Sequence, residues 1–121
     1  MERKHLTNTI INMPTNFQEL RNISFVSLLR NTGYFELFDE INSNDIKEQL
    51  ETHPEWVRQW LNYSDDKRTS SGWYFIKSEM GKYIVGFYPP NKYRTMEFVD
   101  IVEACSVFIK MEIESVRMLA D

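Results

Sequence analysis

The chain has little cysteine, glycine, proline or histidine: one, four, four and two residues among 121. A single cysteine, Cys105, excludes an internal disulfide, so a reducing cytoplasm is the expected compartment. The scarcity of glycine and proline excludes a collagen-like or linker-rich chain. No apolar run approaches the roughly 20 residues that span a bilayer. The N-terminus lacks the apolar stretch of a secretory signal. We therefore expect no membrane partner.

Motifs for common chemistries are also missing. His5 and His53 stand alone in sequence, without the paired Cys or His spacing of a zinc site. No phosphate loop or glycine-rich dinucleotide motif is present. Cys105 falls on an apolar stripe, where a buried and inert thiol is expected. We therefore predict no cofactor, no metal and no catalytic residue, and an enzyme is not the favoured interpretation.

Hydrophobic residues make up 42% of the chain and aromatics 14%, which is enough for the core of one folded domain. The net charge is -4, and it is distributed unevenly. Residues 31–66 hold nine acids and two bases, residues 67–95 one acid and six bases, and residues 96–121 six acids and two bases. This distribution predicts a two-toned surface, and the acidic total argues against general nucleic-acid binding.

The N-terminal half is predicted to be helical. In residues 1–15 an apolar spacing is interrupted by Pro14, which predicts an arm or short helix ahead of a single domain spanning 16–121. Asn16 is predicted to cap the next helix, with Glu19 as its capping-box partner. Gly33 suits a left-handed position at a helix end.

Two further helices carry six of the nine acids in residues 31–66. The stretch NSND is predicted to start a helix with Asp45 and Glu48 near its positive end. Pro54 is predicted to open the following helix. In that helix Trp56, Trp60 and Tyr63 recur at steps of four and three residues, which places them on one stripe.

The period changes to two after Gly72. GWYFIKS and KYIVGFY flank Met80–Gly81, which predicts a β-hairpin, and KYRTMEF could add a short third strand. From Phe98 to Val116 apolar residues recur every three or four positions, which predicts a long amphipathic helix packed on the sheet. Its other side is predicted to be polar and to carry Glu103, Lys110, Glu112, Glu114 and Arg117. The predicted class is α+β, with a hairpin or short antiparallel meander.

The polar stretch NYSDDKRTSSGWYF, residues 62–75, allows two interpretations. It is either a helix-to-strand corner, in which hydroxyls bond local backbone, or a small ligand-binding or hydrolytic site. The second interpretation would use Asp65, Asp66, Arg68, Ser70 and Ser71. Polar loops of this kind occur in most proteins, so the corner is favoured.

Acids and large aromatics in the same span indicate an interface. Aromatics beyond what a core needs are enriched at protein–protein contacts. An acidic patch would complement a basic partner. The predicted partner-binding residues are Asp45, Glu48, Glu55, Trp56, Trp60 and Tyr63.

Three segments carry a resemblance: DKRTSSGWYF, GKYIVGFY and EACSVFIKMEIES. Together they resemble a family of small uncharacterised bacterial proteins, a domain of unknown function, over about Phe25 to Leu119. The resemblance implies a bacterial or phage origin and little chemistry. Its motifs include Arg68, Ser70, Ser71, Glu103 and Glu112.

The sequence therefore favours a non-enzymatic protein-binding domain. Small acidic proteins of this size often resemble toxin immunity proteins and other inhibitors, which bind and block a basic protein. This is an analogy with a type of protein. The polar site around Asp65, Arg68, Ser70 and Ser71 is the alternative.

Overall fold

The computed structural model describes residues 2–20, 23–66, 72–88 and 95–120. Seven α-helices and three β-strands are found in these ranges, with 3-10 turns at Phe38–Glu40 and Pro54–Trp56. The helices are α1 Glu2–Ile11, α2 Met13–Glu19, α3 Phe25–Asn31, α4 Tyr34–Leu37, α5 Ser43–Thr52, α6 Val57–Asp66 and α7 Ile101–Leu119. The strands are β1 Gly72–Lys77, β2 Tyr83–Tyr88 and β3 Met96–Phe98. This order confirms the α+β class with a helical N-terminal half.

The first 15 residues include the short helix α1, which is one of the two forms predicted for them. The apolar side chains of Leu6, Ile10, Ile11 and Met13 are all buried in the same core as the rest of the chain. Pro14 does not end a helix but occupies the first turn of α2. A proline is tolerated there because the first backbone N–H groups of a helix have no intrahelical acceptor. The predicted cap at Asn16 was therefore wrong, since this residue lies inside α2.

Capping at the other helix starts follows the sequence closely. The Asn42 side chain accepts from the Asp45 backbone N–H at 3.0 Å, and the Asp45 carboxylate accepts from the Asn42 N–H at 2.9 Å. This reciprocal pair is a capping box that satisfies two otherwise unpaired donors. Gly33 follows α3 in the left-handed conformation, with φ 93°.

The sheet is antiparallel, with the strand order β1-β2-β3. In the hairpin Trp73 pairs with Phe87 and Phe75 with Val85, which confirms the predicted period of two. The predicted third strand is present at Met96–Phe98 and pairs with β2, and the first three residues of KYRTMEF lie outside the described residues. Phe75 and Val85 are buried on the face that meets α7, and the Phe75 and Phe108 ring centroids are 5.6 Å apart.

A prediction arises at the hairpin turn, where Gly81 has φ 80° and an added Cβ would meet no atom within 4 Å. Gly81→Ala should lower the free energy of unfolding by about 1 kcal/mol, because the cost comes only from the left-handed backbone conformation. Chemical denaturation measures this change. The exposed neighbour Met80 is the control: Met80→Ala should change stability by less than about 0.5 kcal/mol. Equal stability of Gly81→Ala and the wild-type protein would contradict the account.

Helix α7 occupies the centre of the molecule. It packs against all three strands, as predicted, and also against α3, α5 and α6. Because neighbours lie on more than one side, the middle of α7 is buried around most of its circumference. Its partners in the core come from every part of the described chain, so the helices and the sheet form one unit. None of the described helices combines the length and the apolar composition that crossing a bilayer requires.

Candidate functional site

The predicted partner-binding acids lie on α5 and the 3-10 turn after it. Of the predicted acids, Glu48 and Glu55 are exposed, and so is Glu51, which the sequence prediction did not include; we call Glu48, Glu51 and Glu55 the acidic ridge. Glu48 and Glu51 are three residues apart, so they are neighbours on one helix face. Glu48, in the middle of α5, also borders a cleft that is lined by Arg3 and Lys4 of α1.

The ridge is placed where it weakens the helix that carries it. The carbonyl end of a helix bears a partial negative charge, which favours cations and disfavours carboxylates. Glu51 lies in the last turn of α5, and no basic residue accompanies it there. Helix stability alone would favour a lysine or arginine at this position, so the acid has no stabilising reason to be there.

Asp45 differs from the ridge residues because it stabilises the start of α5. It is half-buried and its carboxylate completes the capping box of α5. A charge reversal at Asp45 would remove a helix cap as well as a charge, at a cost of about 1 kcal/mol. Asp45 is therefore unsuitable as a test of partner binding, although the sequence grouped it with Glu48 and Glu55.

Trp56 is the aromatic residue nearest the ridge. Its indole ring stacks on the His53 imidazole, with centroids 4.0 Å apart and an interplanar angle of 17°. The Nδ1 atom of His53 lies 3.6 Å from a carboxylate oxygen of Glu55. Trp56 is partly exposed. It thus presents a pre-ordered aromatic surface beside a carboxylate.

A cleft of about 480 Å³ adjoins this end of the ridge. Its lining includes Glu55, Arg58 and the apolar side chains of Pro54, Val57 and Leu61. A concave surface with apolar walls and charged edges is the usual form of a binding site for a partner side chain.

Trp60 does not belong to a partner surface, contrary to the sequence prediction. Its side chain is 0% exposed, and its Nε1 donates to the Ile11 carbonyl at 2.7 Å. The Trp60 ring also lies edge-on to Tyr63 and Phe108. The stripe of Trp56, Trp60 and Tyr63 exists, but its middle member is a core residue that ties α6 to α1.

Tyr63 is half-buried and lies between the core and the surface. Its hydroxyl donates to the Glu112 carboxylate at 2.6 Å, and its ring packs on Phe25 with centroids 5.0 Å apart. Burial, followed by the charge of Glu112, raises the pKa of Tyr63 well above its usual range. Tyr63 is therefore protonated at neutral pH and able to donate this hydrogen bond.

The alternative polar site lies only partly in the described chain. Asp65 and Asp66 are exposed in the last turn of α6, whereas Arg68, Ser70 and Ser71 fall outside the described residues. The corner interpretation has support from Ser64, which is buried and whose hydroxyl accepts from the Phe75 N–H at 2.7 Å. This bond joins the end of α6 to β1.

Polar groups on α7 are more buried than its amphipathic pattern predicted. Glu112, which was expected on the exposed side, is 3% exposed. Glu112 lies three, four and seven residues after the buried Ile109, Phe108 and Cys105, so helical spacing places it on the apolar stripe itself. The prediction of an exposed position was therefore wrong, and the signal was present in the sequence.

A second polar group on α7 encloses the buried Tyr34. The Lys110 ammonium donates to the Tyr34 hydroxyl at 2.7 Å and to the Phe38 carbonyl at 2.9 Å, and Tyr34 donates to Glu114. Arg117 donates to the same carboxylate through two nitrogens. These side chains satisfy one another, so the group is a structural link between α4 and α7.

The pKa values of this group follow from burial and charge. Burial is the main reason that the pKa of Lys110 is lowered. For Glu114, burial favours the protonated form, but hydrogen bonds from Arg117 and Tyr34 and the Lys110 charge outweigh it, and the pKa is lowered. Burial and the hydrogen bond to Glu114 raise the pKa of Tyr34.

The Cys105 thiol and possible metal-binding clusters are the two remaining chemical groups to place in the structure. Cys105 is buried as predicted, and burial raises the pKa of its thiol. A protonated, enclosed thiol is not a nucleophile. Within the part of the chain that the structure describes, no three His, Cys, Asp or Glu side chains lie close enough to hold a metal ion.

Comparisons with protein-family models, with curated proteins and with solved structures found no match to this chain. The function is therefore argued from the chain's own geometry.

Proposed function

We propose that this chain is a non-enzymatic protein-binding domain that binds and blocks a protein with a basic surface. The observation that carries this proposal is the acidic ridge of Glu48, Glu51 and Glu55, exposed next to the half-exposed Trp56. An inhibitor of the immunity type, acting on a basic toxin, is the kind of protein that this surface suits.

The position of the ridge supports a role in binding more than a role in folding. Glu51 lies at the negative end of α5, and Glu48 and Glu51 repel each other across one turn. Each of these effects costs a few tenths of a kcal/mol. Proteins tolerate such costs at functional surfaces, where activity and stability conflict.

The charges of the ridge and the aromatic ring of Trp56 would contribute to different steps of binding. Exposed like charges speed the encounter with an oppositely charged partner and fix its orientation. Trp56 would supply affinity once the surfaces meet, because a large ring buries much area. Its stack on His53 already restricts the ring, so little side-chain freedom is lost on binding.

The family resemblance and the cellular compartment are further parts of the proposal. We propose that the chain belongs with the small uncharacterised bacterial proteins whose motifs it resembles. We also propose that it acts in a reducing cytoplasm, in keeping with a single buried cysteine.

The proposal is tested by capture of the partner from the cells that produce this protein. Three baits are compared: the wild-type chain, the ridge variant Glu48→Gln/Glu51→Gln/Glu55→Gln, and a control variant Glu19→Gln/Glu79→Gln/Glu97→Gln. The control replaces three exposed acids outside the ridge, so both variants lose three negative charges from the same net charge of -4.

The wild-type and control baits should retain one basic partner, and the ridge variant should retain much less of it. Equal recovery by all three baits would show that the ridge is not the contact. Failure of every bait to retain a partner, together with turnover of a small substrate by the purified chain, would favour the polar site around Asp65 and Arg68 instead.

A further inference from the structure

A separate pocket lies at the seam between α2 and α6. It has a volume of about 210 Å³ and is lined by Pro14, Phe17, Gln18, Tyr63 and Asp66. Its walls are mostly apolar and include two aromatic side chains, and Asp66 supplies one exposed carboxylate. None of the partner-binding acids named above belongs to this pocket.

Polar contacts hold the two helices together beside the pocket. The Gln59 side-chain oxygen accepts from the Thr15 N–H at 3.2 Å and from its hydroxyl at 2.7 Å. The Gln59 amide nitrogen donates to the Asn12 side chain at 3.1 Å. These bonds clamp α6 to the first turns of α2. The pocket therefore opens between elements whose spacing is already fixed.

The aromatic walls are also held in place. The Phe17 ring meets the Phe25 ring edge-on, with centroids 5.6 Å apart, and Tyr63 packs on the same Phe25. The Tyr63 hydroxyl is bound to Glu112. Both walls therefore keep their positions without a ligand, which lowers the entropic cost of binding.

The electrostatic surroundings favour a cation. Asp66 lies in the last turn of α6, where the carbonyl end of the helix adds partial negative charge. An apolar side chain entering here would have to lie against the Asp66 carboxylate and desolvate it. A cationic group would instead gain both aromatic contact and an ionic hydrogen bond.

We infer that this pocket receives an arginine side chain of the basic partner; the inference rests on the proposed function and adds a second contact to it. Arginine fits better than lysine. Its guanidinium is planar, stacks on aromatic rings and binds a carboxylate through two parallel hydrogen bonds, whereas an ammonium offers a compact, strongly hydrated charge. The pocket thus adds specificity for arginine to the long-range attraction that the ridge supplies.

The test needs no partner. N-acetyl-arginine amide is titrated into the purified chain and followed by amide shifts in two-dimensional NMR. Saturable shifts are expected at Phe17, Tyr63 and Asp66, with a dissociation constant in the millimolar range, as befits a single side chain. The neutral analogue N-acetyl-citrulline amide, which has nearly the same shape, should bind at least about tenfold more weakly because it lacks the charge.

Two variants separate the ionic contribution of Asp66 from the aromatic contribution of Phe17. Asp66→Asn should weaken the arginine probe about fivefold by removing the ionic partner. Phe17→Leu should weaken it about threefold by removing a ring while keeping an apolar wall. Glu79→Gln, which removes an exposed acid in the hairpin turn, is the charge-matched control and should leave the affinity unchanged. Equal binding of arginine and citrulline probes, or no saturable shift at these residues, would overturn the inference.

The test must also consider Arg68 of this chain as a competitor for the pocket. Arg68 follows Asp66 by two residues and lies outside the described residues. If Arg68→Gln strengthens binding of the arginine probe severalfold, the pocket serves this chain and the inference is wrong; unchanged binding supports it. If the arginine probe does not bind but the partner is still captured, only the inference about the pocket is wrong. If the probe binds but no partner is captured, the proposed function is wrong.

Discussion

Replacing Trp60 with alanine should lower the free energy of unfolding by about 3–5 kcal/mol, the usual range for removing a fully buried aromatic side chain. The indole is 0% exposed and lies edge-on to Tyr63 and Phe108, with centroids 5.3 and 6.0 Å away. Its loss would leave a cavity where α6 meets the rest of the core. Denaturant unfolding, monitored by far-ultraviolet circular dichroism, measures the change.

Two further variants define what Trp60 contributes. Trp60→Phe keeps most of the ring but removes the 2.7 Å bond to the Ile11 carbonyl, so it should cost about 1–3 kcal/mol. Trp56→Ala should cost less than Trp60→Ala, because Trp56 is partly exposed. A Trp56→Ala variant less stable than Trp60→Ala would contradict the assignment of core and surface.

Neutralising the acidic ridge should slow association with the captured partner about tenfold at low ionic strength. The Glu48→Gln/Glu51→Gln/Glu55→Gln variant loses three exposed charges that lie near one another on α5 and the following turn. Electrostatic steering of this kind changes association rates by about 10- to 1,000-fold and dissociation rates much less. Surface plasmon resonance with the partner immobilised separates the two rates.

The same variant should fold at least as stably as the wild-type chain. Removing Glu51 relieves the unfavourable charge at the negative end of α5, which is worth a few tenths of a kcal/mol. The control variant Glu19→Gln/Glu79→Gln/Glu97→Gln should associate at close to the wild-type rate. An equal slowing by both variants would mean that net charge alone matters and that the ridge has no special position.

Elements with strong local signals were predictable from the sequence. The hairpin, the start of α5 at Asn42 and the left-handed Gly33 depend on neighbouring residues, and the structure has each of them. The apolar pattern was predicted to end at Pro14, whereas the structure places Pro14 in the first turn of α2. Only the packing of Leu6 and Ile10 into a distant core shows that this segment is part of the domain.

The candidate site was predictable in part. Helical spacing placed Trp56, Trp60 and Tyr63 on one stripe, but spacing does not say where the core ends and the surface begins. The hydrogen bonds of Trp60 to Ile11 and of Tyr63 to Glu112 each join residues that are 49 positions apart in sequence, so local spacing does not reveal them. Phe17 was missed as a pocket residue because its neighbour Asp66 is on another helix.

The most direct test of the account is the association rate of the captured partner, measured with the wild-type chain and the ridge variant over a range of salt concentrations. Screening lengths fall from about 30 Å at 0.01 M to about 3 Å at 1 M. The wild-type rate should fall steeply as salt rises and should meet the slower, flatter rate of the ridge variant at high salt. A wild-type rate that does not change with salt, or a constant ratio between the two proteins, would contradict steering by Glu48, Glu51 and Glu55.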